Sequence, residues 1–177
     1  MRSATTIWLG AARHRLMLFA AMAGMGLLAA CTGGTPGSID VGSTKEISVD
    51  RTAGLARVNA FRSTHGLPAL RYSAVLDEAA TRQARAMAAR GKLSHSVEGA
   101  LPARVKAYGY NYGSVAENIG WNYPSTAAVI SGWENSAGHR RNLLKPEVTD
   151  IGFAAATGRN GQPYWAMILG TQVKRRG

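Results

Sequence analysis

Two apolar runs near the C-terminus, joined by a tight-turn signal, restrict the fold of this chain more than any other feature. Residues 151–156 and 164–169 are dominated by apolar side chains, and Asn160-Gly161 lies between them. Asn-Gly between apolar runs is a strong hairpin signal, because both residues accept the positive φ angles of a two-residue turn. The second run is apolar on both faces, so we expect its strand to be covered on both sides. The pattern predicts a sheet between layers of helices.

Upstream of the hairpin, four segments combine helical spacing of apolar residues with helix-end signals. The first ends before Gly66-Leu67-Pro68, where glycine supplies the C-terminal turn and proline blocks further helix. The second is alanine-rich and stops at Gly91, the third is a short segment over residues 103–108, and the fourth runs through Trp133. Residues 115–121 are too short and mixed for a helix and are expected to be extended. The expected N-terminal caps are Ser48 or Asp50, Ser73, and Ser125 or Thr126.

Residues 133–144 place an indole, a hydroxyl and an imidazole at regular spacing. On a continuous helix, Trp133, Ser136 and His139 would lie along one face, three residues apart. Gly138 interrupts this pattern, because glycine in a helix interior costs about 1 kcal/mol relative to alanine. We therefore expect the helix to end near Ser136 and His139 to project from a break or from a new helical turn.

The first thirty residues have the layout of a secretory signal. They contain basic residues and no acid, and they end in an apolar run of about 15 residues, shorter than the roughly 20 that a membrane-spanning helix needs. Cys31, the only cysteine, directly follows Leu28-Ala29-Ala30, which resembles a bacterial lipobox. We expect Cys31 to be lipidated and to attach the protein to a membrane. An ordinary signal peptide with an incidental cysteine is the alternative.

These features predict four consecutive regions. Residues 1–30 form a lipoprotein signal peptide, residues 31–47 the lipidated cysteine and a flexible tether rich in Gly, Ser, Thr and Pro, residues 48–173 the folded domain, and residues 174–177 a basic tail. The predicted location is the bacterial cell envelope, with a lipid anchor. Thr32, in place of an aspartate after the cysteine, favours the outer membrane, facing the periplasm, if the source is Gram-negative.

Charge and cysteine content limit the partners and the means of stabilisation. Residues 1–30 contain three of the 21 basic residues and none of the 10 acidic ones, so the basic excess belongs to the rest of the chain. In an exported protein such an excess points to anionic lipid headgroups or cell-wall polymers rather than to nucleic acid. A solvated basic surface is the plainer alternative.

A lone cysteine excludes any intrachain disulfide, so the apolar core has to stabilise the fold.

Four polar side chains are candidates for chemistry: His95, Glu117, Ser136 and His139. Two imidazoles and a carboxylate could hold a divalent cation with an open position for water, or could position a water for general base catalysis. A serine–histidine hydrolase is a weaker hypothesis, because Ser136 is not embedded in Gly-x-Ser-x-Gly and no aspartate is obviously paired with His139. On spacing alone, both histidines could equally be structural residues that make hydrogen bonds.

Five motifs in order resemble the bacterial branch of the CAP superfamily, which includes cysteine-rich secretory proteins, venom antigen 5 and plant pathogenesis-related proteins. The resemblance covers about residues 52–172. The motifs are Asn59-x-x-Arg62 with Gly66-Leu67-Pro68-x-Leu70; Ser94-His95-Ser96; Ala116-Glu117-Asn118-Ile119; Trp133-x-x-Ser136-x-Gly138-His139-Arg140-x-Asn142-Leu143-Leu144; and Ile151-Gly152 with Tyr164-Trp165.

The resemblance implies an α+β fold, a three-layer α-β-α sandwich with a central, mainly antiparallel sheet, and a cleft lined by two histidines and two acids. By motif, His95, Glu117 and His139 match three of these catalytic or binding positions. The fourth is Ser136, where animal and plant relatives carry a glutamate, and Glu134 comes two residues too early. Some relatives bind a divalent metal such as zinc, and the matching ligands here would be His95 and His139.

Two functions of different class follow from the resemblance. The first is an envelope binding module that recognises a lipid, glycan or cell-wall component through the cleft or an adjacent groove. The second is a metal-assisted hydrolase, peptidase-like or acting on the cell wall, in which the histidines hold a cation or orient water and Glu117 acts as the base.

Overall fold

The computed structural model describes residues 39–173. The predicted signal peptide, Cys31 and the basic tail lie outside these residues, as do the predictions of lipidation and membrane attachment. The elements are, in order, β1 (Lys45–Ile47), α1 (Arg51–Thr64), β2 (Arg71–Tyr72), α2 (Ala74–Arg90), α3 (Leu101–Ala107), β3 (Tyr112–Trp121), α4 (Thr126–Asn135), α5 (Ala137–Leu143), β4 (Asp150–Thr157) and β5 (Pro163–Gln172).

The sheet is mainly antiparallel and is built around the C-terminal hairpin. Its strands follow the order β1-β4-β5-β3, and the short strand β2 pairs in parallel with the start of β4. β4 and β5 are antiparallel from Asp150↔Gly170 to Thr157↔Pro163. β5 lies between β4 and β3, and its residues 164–170 are all buried. The predicted hairpin and the covered position of its second strand are therefore present. The connection has five residues, 158–162, rather than two, and of the Asn-Gly pair only Gly161 has a positive φ.

The two faces of the sheet carry separate apolar clusters, which confirms the three-layer sandwich. On one face α1, α4 and α5 cover side chains such as Trp133, Phe153 and Trp165. On the other face α2 and α3 cover Tyr110, Tyr164 and other apolar side chains. Alternate residues of a strand point to opposite faces, so the fully apolar β5 contributes to both clusters.

Local signals explain where the helices begin and end. The side chains of Asp50, Ser73 and Ser125 accept hydrogen bonds from backbone N–H groups in the first turns of α1, α2 and α4. α2 ends at Gly91, whose φ of 59° lies in the left-handed region. α2 also packs directly on the β4 backbone, because a Cβ atom at Gly152 would lie 2.1 Å from the carbonyl carbon of Leu76.

The structure corrects the predicted tether at its C-terminal end. Residues 45–47, placed in the tether from composition, form β1 and pair with residues 155–157 of β4. Ile39 and Thr44 are buried, and both Thr44 and the carbonyl of Val41 accept hydrogen bonds from Arg85 of α2. Residues 39–47 therefore belong to the folded domain.

Candidate binding site

The candidate site is built around β3, a strand at the edge of the sheet. Glu117 and Asn118 are adjacent in β3, so their side chains point to opposite layers of the sandwich. The loop after α2, which carries His95, contacts Glu117, and α5, which carries His139, contacts Asn118. Both layers therefore contribute to one polar site at the sheet edge, as the sequence motifs implied.

On the first layer, Glu117 is the centre of a buried ionic cluster. Its Oε1 accepts a hydrogen bond from His95 Nδ1 at 2.8 Å, and its Oε2 accepts one from Arg104 Nη2 at 2.6 Å. The side chains of Glu117 and Arg104 are 2% and 7% exposed, whereas that of His95 is 58% exposed. Both carboxylate oxygens are thus occupied by protein donors, and His95 is the member that faces solvent.

Arg104 was not among the residues that the sequence pointed to. It lies in α3, and its guanidinium also donates to the carbonyls of His95 and Gly99. It therefore fixes the loop that carries His95 as well as the carboxylate. An arginine in a short amphipathic helix is ordinarily solvent-exposed. Only the position of Glu117, on a different element, explains why this one is buried.

On the second layer, the contacts are hydrogen bonds between neutral groups. Ser136 Oγ and His139 Nδ1 share a hydrogen bond of 3.0 Å, and the carbonyl of His139 accepts one from Asn118 Nδ2 at 3.1 Å. Asn142 Nδ2 donates to Asn118 Oδ1 and to the backbone carbonyl of Glu117. These amides bind α5 to the edge strand and satisfy polar groups that would otherwise be unpaired.

The break between α4 and α5 sets the position of His139. α4 ends at Asn135, Ser136 is extended, and α5 begins at Ala137, which is the new helical turn expected from the sequence. Burial lowers the pKa of His139 below its ordinary value, and repulsion from His95 lowers it further. The second cause predicts that removing the His95 imidazole raises the pKa of His139.

The neighbouring Glu134 does not replace the missing acid. It forms a two-pronged ion pair with Arg57 of α1, with nitrogen–oxygen distances of 3.0 and 2.6 Å. Glu134 therefore ties α4 to α1 on a different side of the helix from His139, as its spacing predicted.

A buried arginine binds the C-terminal end of α5. Arg62 of α1 is fully buried, and its Nη1 donates to the carbonyls of Leu143 and Lys145 while its Nε donates to that of Pro68. Burial lowers the pKa of this guanidinium. The carbonyl groups at a helix C-terminus attract a cation, which explains why Arg62 is accommodated there without a carboxylate partner.

The side chains of the site do not fit a resident metal ion. Both carboxylate oxygens of Glu117 already accept hydrogen bonds, and Ser136 occupies the position where an acid would be needed. The Nε2 atoms of His95 and His139 are therefore the remaining atoms that could coordinate a metal. Within residues 39–173, no group of three or more His, Cys, Asp and Glu side chains is arranged to hold a metal. Zinc sites normally use three or four protein ligands.

Neither does the site resemble a complete serine hydrolase triad. Ser136 and His139 are within hydrogen-bonding distance, but among the described residues no carboxylate contacts His139. A base needs such a partner to fix its tautomer and to stabilise the imidazolium that forms during the reaction.

A groove lies between α1 and α4, apart from the polar site. It has a volume of about 620 Å³, within the range of small-molecule sites. Ile130 and Trp165 line it and belong to the apolar core, but they are only 0% and 2% exposed, so the groove borders the core without opening it. Asp50 and Ser125, the caps of the two helices, line it as well. None of the four predicted site residues lines this groove.

Comparisons of sequence place the chain among known proteins. The model of the cysteine-rich secretory protein family, CAP, matches residues 55–169. Two proteins of Bacillus subtilis strain 168 also match this chain over 96 residues, or 53% of its length. The uncharacterized protein YkwD is 31% identical to this chain, and the uncharacterized membrane protein YlbC is 32% identical. The matches cover 37% and 28% of those proteins, so the chain spans about a third of the length of its curated relatives.

Comparisons of structure support the same fold. An outer surface protein from Borrelia burgdorferi matches 73% of this chain and 98% of its own, with a TM-score of 0.66 and 17% identity. An extracellular protein containing an SCP domain from Bacillus anthracis matches 68% of this chain and 40% of its own, with a TM-score of 0.61 and 24% identity. Together with the family match, these similarities show that the chain belongs to the cysteine-rich secretory protein (CAP) family.

Proposed function

We propose that this protein is an exported binding module of the bacterial cell envelope that holds the apolar part of a lipid in the groove between α1 and α4. The observation that carries the proposal is the groove itself, which is open to solvent and lined in part by core side chains. Burial of apolar ligand surface is the main source of affinity at such sites. A lipid anchor on Cys31 would keep the domain next to its ligand.

Other features of the chain are consistent with an envelope location. The leader and Cys31 have the pattern of an exported lipoprotein, and two proteins of similar fold are described as an outer surface protein and an extracellular protein. Within residues 39–173, no helix is long and apolar enough to cross a membrane. Attachment through Cys31 to the outer membrane, facing the periplasm in a Gram-negative source, is part of the proposal.

The polar site favours binding over hydrolysis. In the metal-assisted hydrolase alternative, Glu117 would act as the base and the histidines would hold a cation or orient water. Glu117 instead accepts hydrogen bonds from His95 and Arg104, and the metal ligand set is incomplete within the described residues. We assign the polar site the role of fixing α5 and the loop that carries His95 against the edge of the sheet.

A matched pair of substitutions in α1 tests the proposal. Ala53 lines the groove, and Ala60 is an exposed residue of the same helix that does not line it. With dansyl-labelled undecanoic acid as the probe, we expect Ala53→Trp to weaken binding to the purified full chain at least about tenfold, a loss of about 1.4 kcal/mol. Ala60→Trp should leave binding unchanged. Absence of binding to the native chain, or equal loss in both variants, would contradict the proposal.

A further inference from the structure

Trp121, the last residue of β3, is an exposed indole that the lipid groove does not use. Its exposed fraction is 45%, whereas Trp133 and Trp165 are buried in the core. Trp121 does not line the groove between α1 and α4. A single exposed apolar side chain is common on protein surfaces. This one is distinguished by the hydrogen bonds that hold it in place.

Hydrogen bonds fix this indole. Trp121 Nε1 donates to Gln162 Oε1 at 2.9 Å, and the backbone N–H of Gln162 donates to Asn160 Oδ1 at 3.1 Å. Asn160 Nδ2 in turn donates to the hydroxyl of Tyr164 at 3.3 Å. The indole is therefore anchored to the turn between β4 and β5 before any ligand arrives, which reduces the entropy that binding would cost.

The backbone next to Trp121 is also constrained. Asn122 has a φ of 61°, the only positive value found for a non-glycine residue among residues 39–173, and its N–H donates to the carbonyl of Pro163 at 2.8 Å. This bond closes the end of the β3–β5 pair. Asparagine adopts the left-handed conformation more readily than most residues, so the turn that follows Trp121 is well defined.

Amide side chains lie next to the indole: Gln162 accepts its N–H, and Asn122 follows it in the chain. Its Nε1 is already bonded, so it offers a ligand the electron-rich face of the ring. The amide Nε2 of Gln162 and the side chain of Asn122 form no hydrogen bond within the described part of the chain and are free to bind hydroxyl or acetamido groups. An aromatic face beside amides matches a sugar ring, whose C–H groups stack on the ring while its hydroxyls make hydrogen bonds.

Other surface ligands fit these groups less well. A membrane surface favours an aromatic side chain among further apolar side chains and cations, and single-stranded nucleic acid needs cations along its phosphates. Here Gln162 bonds the indole, Asn160 bonds the backbone of Gln162, and Asn122 is the next residue in the chain.

We infer that Trp121 is a stacking platform for one ring of a β-linked hexopyranose chain, with Asn122 and Gln162 contacting its polar substituents. Trp121 lies on the same face of β3 as Glu117, four residues away, or about 13 Å along a strand. A glycan bound there would run beside the loop that carries His95. The site goes beyond the lipid groove and does not depend on it.

Retention on insoluble chitin and calorimetric titration with chitohexaose test the inference on the purified full chain. We expect the native chain to bind and Trp121→Ala to weaken binding about tenfold or more, in line with the loss of one stacking contact. Trp121→Phe, which keeps a ring but loses the indole N–H, should bind more tightly than Trp121→Ala. Tyr72→Ala, which removes an aromatic side chain of similar exposure elsewhere, should bind like the native chain.

Three results would overturn the inference. They are no binding of chitohexaose by the native chain, equal binding by Trp121→Ala, and equal loss in Tyr72→Ala. Circular dichroism of each variant verifies that it is folded. If Trp121→Ala instead lost binding to phosphatidylglycerol vesicles and not to chitohexaose, the residue would be a membrane contact. Dansyl-undecanoic acid binding, measured on the same samples, reports separately on the lipid groove.

Discussion

The polar site at the edge of β3 and the groove between α1 and α4 use their side chains in opposite ways. In the polar site, the acceptor atoms of the acid and the serine–histidine pair are occupied by protein groups: Glu117 by His95 and Arg104, and Ser136 by His139. The groove is an open volume of about 620 Å³ lined largely by residues at the starts of α1 and α4, such as Ala53 and Ser125. The family motifs lie in the first region, whereas the proposed lipid site is the second. On this proposal, the motif residues position α5 and the loop that carries His95 rather than contact the lipid.

The largest expected effect comes from breaking the buried ion pair of the polar site. Arg104→Met should destabilise the domain by about 3–5 kcal/mol, because Glu117 would be left as a buried charge without its cation. Urea unfolding of the full chain measures this. The double variant Arg104→Met with Glu117→Gln should recover part of the loss, since it removes the unpaired charge. Equal stability of native and Arg104→Met chains would show that the pair does not hold the site together.

A second substitution restores the acid that the site lacks. Ser136→Glu would add a carboxylate beside the two imidazoles and complete a set of three ligands, so zinc affinity should rise at least about tenfold over that of the native chain. Isothermal titration with zinc chloride measures the change. Ser136→Gln, similar in size but uncharged, is the control. Tight stoichiometric zinc binding by the native chain would contradict the argument that its ligand set is incomplete.

A smaller effect is expected when the serine is truncated. Ser136→Ala removes the hydrogen bond to His139 Nδ1 and should cost about 0.5–1.5 kcal/mol of stability. Because Ser136 also lies at the junction of α4 and α5, the measurement should be paired with Ser131→Ala, a serine within α4. If both variants lost the same stability, the bond to His139 would have no special part in the fold.

The burial of His139, with an added effect of repulsion from His95, predicts a modest dependence of stability on pH. The pKa of His139 is lowered in the folded state, so the unfolded chain takes up a proton first as the pH falls. Stability should therefore decline as the pH drops below about 6.5, the ordinary histidine value, and level off below the folded pKa. In His95→Gln the repulsion is lost, so NMR titration should show a higher pKa for His139. An unchanged pKa would mean that the imidazoles do not interact.

Much of the fold could be predicted because its signals are local. The caps Asp50, Ser73 and Ser125, the stop at Gly91 and the Asn160-Gly161 hairpin each depend on residues within one turn. Strands β1 and β2 could not be found in this way. They have three and two residues, too few for a periodic pattern, and they exist because β4 pairs with them.

The sequence pointed to four residues of the candidate site but not to the contacts that join them. The motifs identified His95, Glu117, Ser136 and His139, which the structure places around one edge strand. The role of Arg104 depends on a partner 13 positions along the chain, on another element. The groove likewise depends on how α1 packs beside α4, which no single segment of sequence specifies.

One titration tests most directly whether the groove, and not the polar site, binds the lipid. Dansyl-undecanoic acid is titrated into the native chain, Ala53→Trp, and the double variant His95→Gln with His139→Gln. We expect the double variant to bind within about twofold of the native chain and Ala53→Trp to bind at least about tenfold more weakly. Loss of binding in the double variant, with binding retained in Ala53→Trp, would show that the ligand is held by the polar site and not by the groove.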